Sequence, residues 1–195
     1  MKVLAVAGSP RRGGNSDTLL DQAVAGAQSA GATVELVVLS QLSIRPCAGC
    51  ERCFAAGRCV VNDDYQGLYD KVLEADALIL ASPIYFTNVS GWAKAFIDRF
   101  QCLWALRHVL KRPVPLPSGG RRRRAIFLAA AGSPNMHFDC AVSVVRAMFS
   151  TIDAVWVGSV CVNNIDQRGA VAQHPETLEQ ARELGARLVE QIGKS

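Results

Sequence analysis

The sequence predicts an α/β protein, a parallel sheet with helices on both faces. Three observations carry that prediction. Short apolar strands alternate with segments of helical periodicity along the chain. The strand at 77–81 is wholly apolar, as a strand covered on both faces must be. The first strand passes into the first helix through a glycine-rich turn, the usual joint of such sheets.

Residues 3–7 form the first strand and 16–30 the first helix, with Leu19, Leu20, Ala23, Val24 and Ala27 at helical spacing. Gly31 stops that helix, and 33–39 is the second strand. An insertion follows, about 41–62. Asp63, with Gln66 three residues on, has the form of a capping box for a helix running to about Ala75. The third strand is 77–81, the next helix 89–104 and the fourth strand 124–130. A helix at Asp139–Thr151 and a strand at Ala154–Val162 complete the alternation. Pro175 opens a last helix, Pro175–Ile192, whose Leu178, Ala181, Leu184, Leu188 and Ile192 share one face. Residues 1–195 therefore read as one domain carrying a Cys-rich insertion.

Composition narrows the class. Half of the residues are hydrophobic and 19% are charged, a soluble globular balance. No apolar run approaches the ~20 residues of a membrane span. Gly8-Ser9-Pro10 cuts the opening apolar stretch short, which does not fit a signal peptide. Seven cysteines without an export pattern point to a reducing, cytoplasmic setting and to metal or redox use. The net charge of +4 equals the run Arg121, Arg122, Arg123 and Arg124. Away from that run the charges balance, which disfavours nucleic acid as a partner.

The turn from Gly8 to Ser16 is a phosphate cradle. A helix start offers unpaired N–H groups and a positive dipole end. Glycine lets the backbone approach an anion. Ser9, Asn15, Ser16 and Thr18 add hydroxyl or amide donors, and Arg11 adds a charged fork. A nucleoside-triphosphate loop needs lysine where Gly14 stands. A dinucleotide fingerprint needs Gly-x-Gly-x-x-Gly and an acid at the end of the second strand, and both are missing. A phosphohydrolase would need a nucleophilic cysteine or aspartate between Gly8 and Ser16, and none is there. What remains is a monophosphate such as that of flavin mononucleotide (FMN).

Ligands of such sheets bind outside the carboxyl ends of the strands, where the loops after strands one, three and four meet. The loop after the third strand holds Pro83, Ile84, Tyr85, Phe86 and Asn88, aromatic faces beside polar edge groups suited to a flat heteroaromatic ring. Gly132, after the fourth strand, keeps the facing wall small. Trp92, Phe96, Phe100 and Trp104 repeat at helical spacing and suit core or subunit interface better than a cofactor stack. His137 reads as a surface or helix-start residue.

Gly8-Ser9-Pro10-Arg11 through Asn15-Ser16, then Ala81-Ser82-Pro83-Ile84-Tyr85-Phe86, then Lys94-Ala95-Phe96-Ile97-Asp98-Arg99 resemble the NAD(P)H-dependent FMN reductase family. The cysteine stretch resembles its iron–sulfur flavoprotein branch. The resemblance implies a flavodoxin-like three-layer sandwich with a five-stranded parallel sheet in the order 2-1-3-4-5. It also implies non-covalently bound FMN and homodimers or homotetramers. By motif position, Ser9, Arg11, Asn15 and Ser16 would hold the phosphate, and residues 83–86 with Asn88 the ring.

Cys47, Cys50, Cys53 and Cys59 bring four thiols into one short loop. Compact two-residue gaps are typical of cubane ligation and favour a [4Fe–4S] cluster. Two alternatives stay open: free thiols or a redox pair, and zinc, which usually takes cysteines as two separated pairs. Cys102, Cys140 and Cys161 sit in apolar contexts and read as buried small hydrophobes.

These sites together describe an FMN oxidoreductase drawing electrons from NAD(P)H or ferredoxin. Its acceptor would be a quinone, a flavin or another small molecule. No acid–base pair is required, since the flavin carries the chemistry. The alternative is a non-catalytic, flavodoxin-like electron carrier without a cluster. The arginine run reads as a solvated loop, or as a dock for the 2′-phosphate of NADPH or an acidic ferredoxin.

Overall fold

The apolar runs at 3–7 and 77–81 have no polar face to turn to water, so they must lie between two layers. The computed structural model, which describes residues 1–192, places them there. Its strands are β1 (Lys2–Ala7), β2 (Thr33–Val38), β3 (Ala77–Tyr85), β4 (Asn88–Val89), β5 (Arg123–Ala130) and β6 (Ala154–Val162). Its α-helices are α1 (Asn15–Ser29), α2 (Tyr65–Glu74), α3 (Gly91–Asp98), α4 (Gln101–His108), α5 (Asp139–Thr151) and α6 (Pro175–Ile192). The long strands run parallel in the order β2-β1-β3-β5-β6. With the two-residue β4 set apart as an antiparallel partner of β3, this is the expected 2-1-3-4-5, a flavodoxin-like α/β arrangement. No described helix is long and apolar enough to cross a membrane.

Successive side chains of a strand point to opposite faces, and that alternation divides the core. Val3, Ala5, Ile79 and Leu128 pack with α1 and α6. Leu4, Val6, Leu80 and Phe127 pack with the layer that α2, α3, α4 and α5 form on the other face. Between α1 and α6 the backbones touch. A Cβ on Gly26 would stand 1.9 Å from the Arg182 carbonyl oxygen, and one on Gly185 2.0 Å from that of Ala23.

The structure corrects the sequence-based expectations at four places. The third strand continues past Ala81 to Tyr85 and turns through Phe86 and Thr87, both left-handed at φ 49° and 63°, into β4. The helix expected over 89–104 is two helices. The chain turns at Arg99-Phe100, with the Phe100 N–H on the Ile97 carbonyl at 3.1 Å, and Arg99 is buried. The capping box at 63–66 is not formed. Asp63 Oδ1 does accept from the Tyr65 N–H at the start of α2 (3.2 Å) while both its oxygens also take Arg99, but Gln66 Nε2 turns away to the carbonyls of Cys59 and Val61 at 2.7 and 2.8 Å. Finally, the arginine run is not all solvated. Arg123 is buried, and its guanidinium donates to the carbonyls of Val72 (3.0 Å), Leu73, Ile152 (3.2 Å) and Pro115 (2.8 Å). Burial draws its pKa down to about 10. Three of these carbonyls belong to the last turn of α2 and the end of α5, where the helix dipoles are negative, and that of Pro115 lies in the loop before β5.

Candidate functional site

Because β1, β3 and β5 are neighbours in one parallel sheet, the turns after them converge. A cleft of about 90 Å³ opens where they meet. Ser9, Arg11, Gly14, Asn15 and Ser16 line it from the first turn, Pro83, Ile84 and Tyr85 from the end of β3, and Gly132 from beyond β5. Ile165, Asp166 and Arg168, after β6, close it. Sequence reasoning missed these three. Their only signal was a polar stretch ending in Gly169 at the same end of the sheet.

The turn is held from every side. The Gly8 N–H donates to the Ala81 carbonyl at 2.7 Å, and a Cβ there would stand 2.8 Å from that same oxygen. Ser90, buried at the start of α3, donates its hydroxyl to the Gly8 carbonyl. Ser9 Oγ accepts from the Arg11 N–H (3.1 Å) and donates to the Arg11 carbonyl (3.0 Å). Asp17 Oδ2 accepts from the Gly13 N–H (2.9 Å) and pairs with Arg12 (2.8 Å).

Asn15 is used differently from the expectation. Its Nδ2 donates to the carbonyls of Ile165 (2.7 Å) and Gln167 (2.9 Å), and its Oδ1 accepts from the Val171 N–H (3.1 Å). It joins the first turn to the loop after β6. Arg168 reinforces that joint through the carbonyls of Gly13 (3.3 Å) and Arg12 (2.6 Å). Gly132 leaves room for Asp166, whose Oδ1 would lie 2.6 Å from a Cβ there. Three further predicted residues stand off the cleft wall. Thr18 Oγ1 donates to the Gly14 carbonyl at 3.2 Å, Asn88 Oδ1 accepts from the Val89 N–H at 2.8 Å, and Phe86 is fully exposed at the hairpin tip.

The donor set suits a phosphate. The N-cap of α1 is Gly14, which offers no side-chain cap, so the first N–H groups of the helix face the cleft without one. Ser16 and Arg11 stand beside them.

A second cavity, about 360 Å³, is lined by Cys47, Cys50, Cys53 and Cys59, with Arg99 and Cys102 beneath. Gly49 and Gly57 bend the loop at φ 62° and 71°. The loop is fastened to α2 by Gln66 and by Arg58, which forms a two-bond fork with Asp70 at 2.8 and 2.9 Å. Phe54 packs against Trp104 with ring centroids 6.3 Å apart. Among the described residues no three His, Cys, Asp or Glu side chains converge to hold a single metal ion, while all four cysteines line the one cavity. Burial, with the other three thiols nearby, pushes the Cys53 thiol up, while hydrogen bonds from Arg52 draw Cys50 down. Burial pushes Cys102 up to about 11. Cys140, expected inside, is exposed in the first turn of α5, and His137 is exposed before it.

Under the cavity, Arg99 Nη1 donates to Asp63 Oδ2 (2.7 Å) and the Arg45 carbonyl (2.8 Å), and Nη2 to Asp63 Oδ1 (3.1 Å) and the Val61 carbonyl (3.4 Å). Its plane lies over Tyr65 at 4.4 Å. Its Nε is buried and has no partner among the described residues. A buried donor left unpaired costs about 1–3 kcal/mol. Burial opposes the Arg99 charge, but Asp63 and the neighbouring Cys59 sulfur outweigh it and raise its pKa.

The fold is flavodoxin-like, and the first cleft gathers Ser9, Arg11, Asn15 and Ser16 at the start of the first helix. Residues 1–167 match the model of the NADPH-dependent FMN reductase family, and the chain belongs to that family. It is 46% identical over 99 residues to an iron–sulfur flavoprotein of Archaeoglobus fulgidus, covering 51% of this chain and 45% of that one. It is 34% identical over 124 residues to an iron–sulfur flavoprotein of Methanosarcina thermophila, covering 63% and 65%. The matches span about half to two thirds of those relatives' lengths. An NAD(P)H:quinone oxidoreductase from Methanothermobacter marburgensis shares the fold, with TM-score 0.69 at 17% identity over 96% of each chain.

Proposed function

We propose that this chain is an FMN-dependent oxidoreductase that takes electrons from NAD(P)H or a ferredoxin and delivers them to a small acceptor such as a quinone or flavin. The observation that carries the proposal is the cleft at 9–16, 83–85 and 132, where a helix start without a side-chain cap meets an aromatic strand end. Bound FMN supplies the redox chemistry, taking two electrons together or passing them singly. The residues do the holding. The first N–H groups of α1, with Ser16 and Arg11, neutralise the phosphate. Pro83, Ile84 and Tyr85 line the space for the ring, and Asn15 and Arg168 keep the loop after β6 closed against the turn.

Cys47, Cys50, Cys53 and Cys59 hold a [4Fe–4S] cluster in this proposal. Their shared cavity, the unpartnered Arg99 donor beneath it and the names of the two archaeal relatives support that assignment. The exposed rings of Phe86 and Trp92 support assembly into homodimers or homotetramers, and seven free thiols support a reducing, cytoplasmic setting.

The test is protein purified without oxygen. Flavin absorption bands, with close to four iron and four sulfide per chain, are expected for the two-centre protein. NAD(P)H oxidation with a quinone is expected as well. A carrier would turn over only with protein partners. Flavin without iron would remove the cluster and leave the reductase, and loss of both would overturn the proposal.

A further inference from the structure

We propose that Arg99 is a positioning residue for the cysteine-held group, its Nε–H donating to one of that group's sulfurs and favouring the group's reduced state. This rests on the cluster assignment above.

The geometry points one way. Arg99 lines the cavity beside Cys59, and Asp63 does not. The ion pair therefore turns its positive end toward the sulfurs and keeps its carboxylate behind. Both Nη atoms are used, on Asp63 and on the carbonyls of Arg45 and Val61, so the guanidinium cannot rotate away. Only Nε is left, buried and without an aligned acceptor among the described residues, and the Cys59 sulfur is the group beside this guanidinium on the cavity side. A cubane held by these four thiolates would be anionic, and one electron from a one-electron reductant such as a ferredoxin would add one negative charge to it with no bond made or broken. A fixed N–H donor beside its sulfurs stabilises the more negative state more, and so raises the potential. The structural demand on Arg99 is met by its Nη atoms, which leaves Nε as the atom a purely structural clamp would not need.

The experiment compares the wild type with Arg99→Lys, which keeps the charge but loses the directed Nε–H, and with Arg99→Gln/Asp63→Asn, which removes both charges together. The second variant guards against an unpaired buried carboxylate. All three are purified without oxygen and assayed for iron and sulfide. The cluster is then titrated with dithionite under potential control and followed by electron paramagnetic resonance. Both variants are expected to hold iron while their reduced-to-oxidised ratio at the wild-type midpoint falls about tenfold, ~59 mV for one electron. Full iron with unchanged midpoints in both would overturn the role of Arg99 and leave the cluster assignment standing. A wild type without iron and sulfide would overturn the assignment and this proposal with it.

Discussion

Arg99 and Asp63 form a two-bond pair, at 2.7 and 3.1 Å, with side chains 0% and 6% exposed. Removing one partner of such a pair leaves the other charge buried. Asp63→Ala is therefore expected to lower unfolding free energy by about 3 kcal/mol. Urea denaturation followed by circular dichroism measures this, and a loss below about 1 kcal/mol would show the pair to be dispensable.

The same pair sets a pH dependence. Burial alone would raise the Asp63 carboxyl, but the bonds from Arg99 and Arg45 hold it below its ordinary value. A depressed folded-state pKa adds stability above the unfolded value, about 4, and that stability is lost as pH falls through the folded value. The stability gap between the wild type and Asp63→Asn should accordingly be widest near neutrality and narrow as pH falls below about 4. Parallel curves would mean that this carboxyl does not titrate with folding.

Gly185→Ala places a methyl where the Ala23 carbonyl stands 2.0 Å away. The strain of parting α1 from α6 outweighs the helix-propensity gain of about 1 kcal/mol. A net destabilisation of about 2 kcal/mol is expected, read as a lower thermal midpoint. A stabilised variant would mean that the seam is slack.

Asn15→Ala cuts three hydrogen bonds between the first turn and the loop after β6. FMN affinity should fall about tenfold, or ~1.4 kcal/mol, by fluorescence titration. Unchanged affinity would confine the role of Asn15 to the loop.

Arg123→Met leaves four carbonyls without their buried donor. About 3 kcal/mol of stability should be lost, measured by denaturant titration. Arg121→Met, on the exposed part of the run, serves as the control and should change stability by less than about 0.5 kcal/mol.

The sheet was legible because its strands are apolar enough to leave no other placement, and Gly8 and Gly132 marked where backbone and loops crowd together. The helix break at Arg99-Phe100 was not legible, since Trp92, Phe96, Phe100 and Trp104 keep helical spacing across it. Arg123 was hidden for a related reason: four consecutive arginines look alike, and nothing in the run marks the third as the one that meets the carbonyls of α2 and α5. Asp63 and Gln66 carried the spacing of a cap; Asp63 keeps a bond to the Tyr65 N–H while it also takes the distant Arg99, but the carbonyls of Cys59 and Val61 in the cysteine loop won the Gln66 side chain. The loop after β6 went unread because Asp166 and Arg168 acquire meaning only through Asn15 and Gly132, more than thirty residues away in sequence.

Viewed from the sheet, the cysteine loop is a ring closed at its base by Arg99, Gln66 and Arg45 and pinned on its flank by Arg58. The chain departs at Arg45 and returns at Val61, and the Arg99 guanidinium spans the gap together with the bonds of Arg45 to Asn62 and Asp63. Events inside the ring can therefore stay local: sulfurs can gain, lose or exchange what they hold without disturbing the strands below. Movement of Arg99 is another matter. It would loosen one tie at each end of the ring, and α3 leads from there to Ser90 and the carbonyl of Gly8 at the rim of the other cleft.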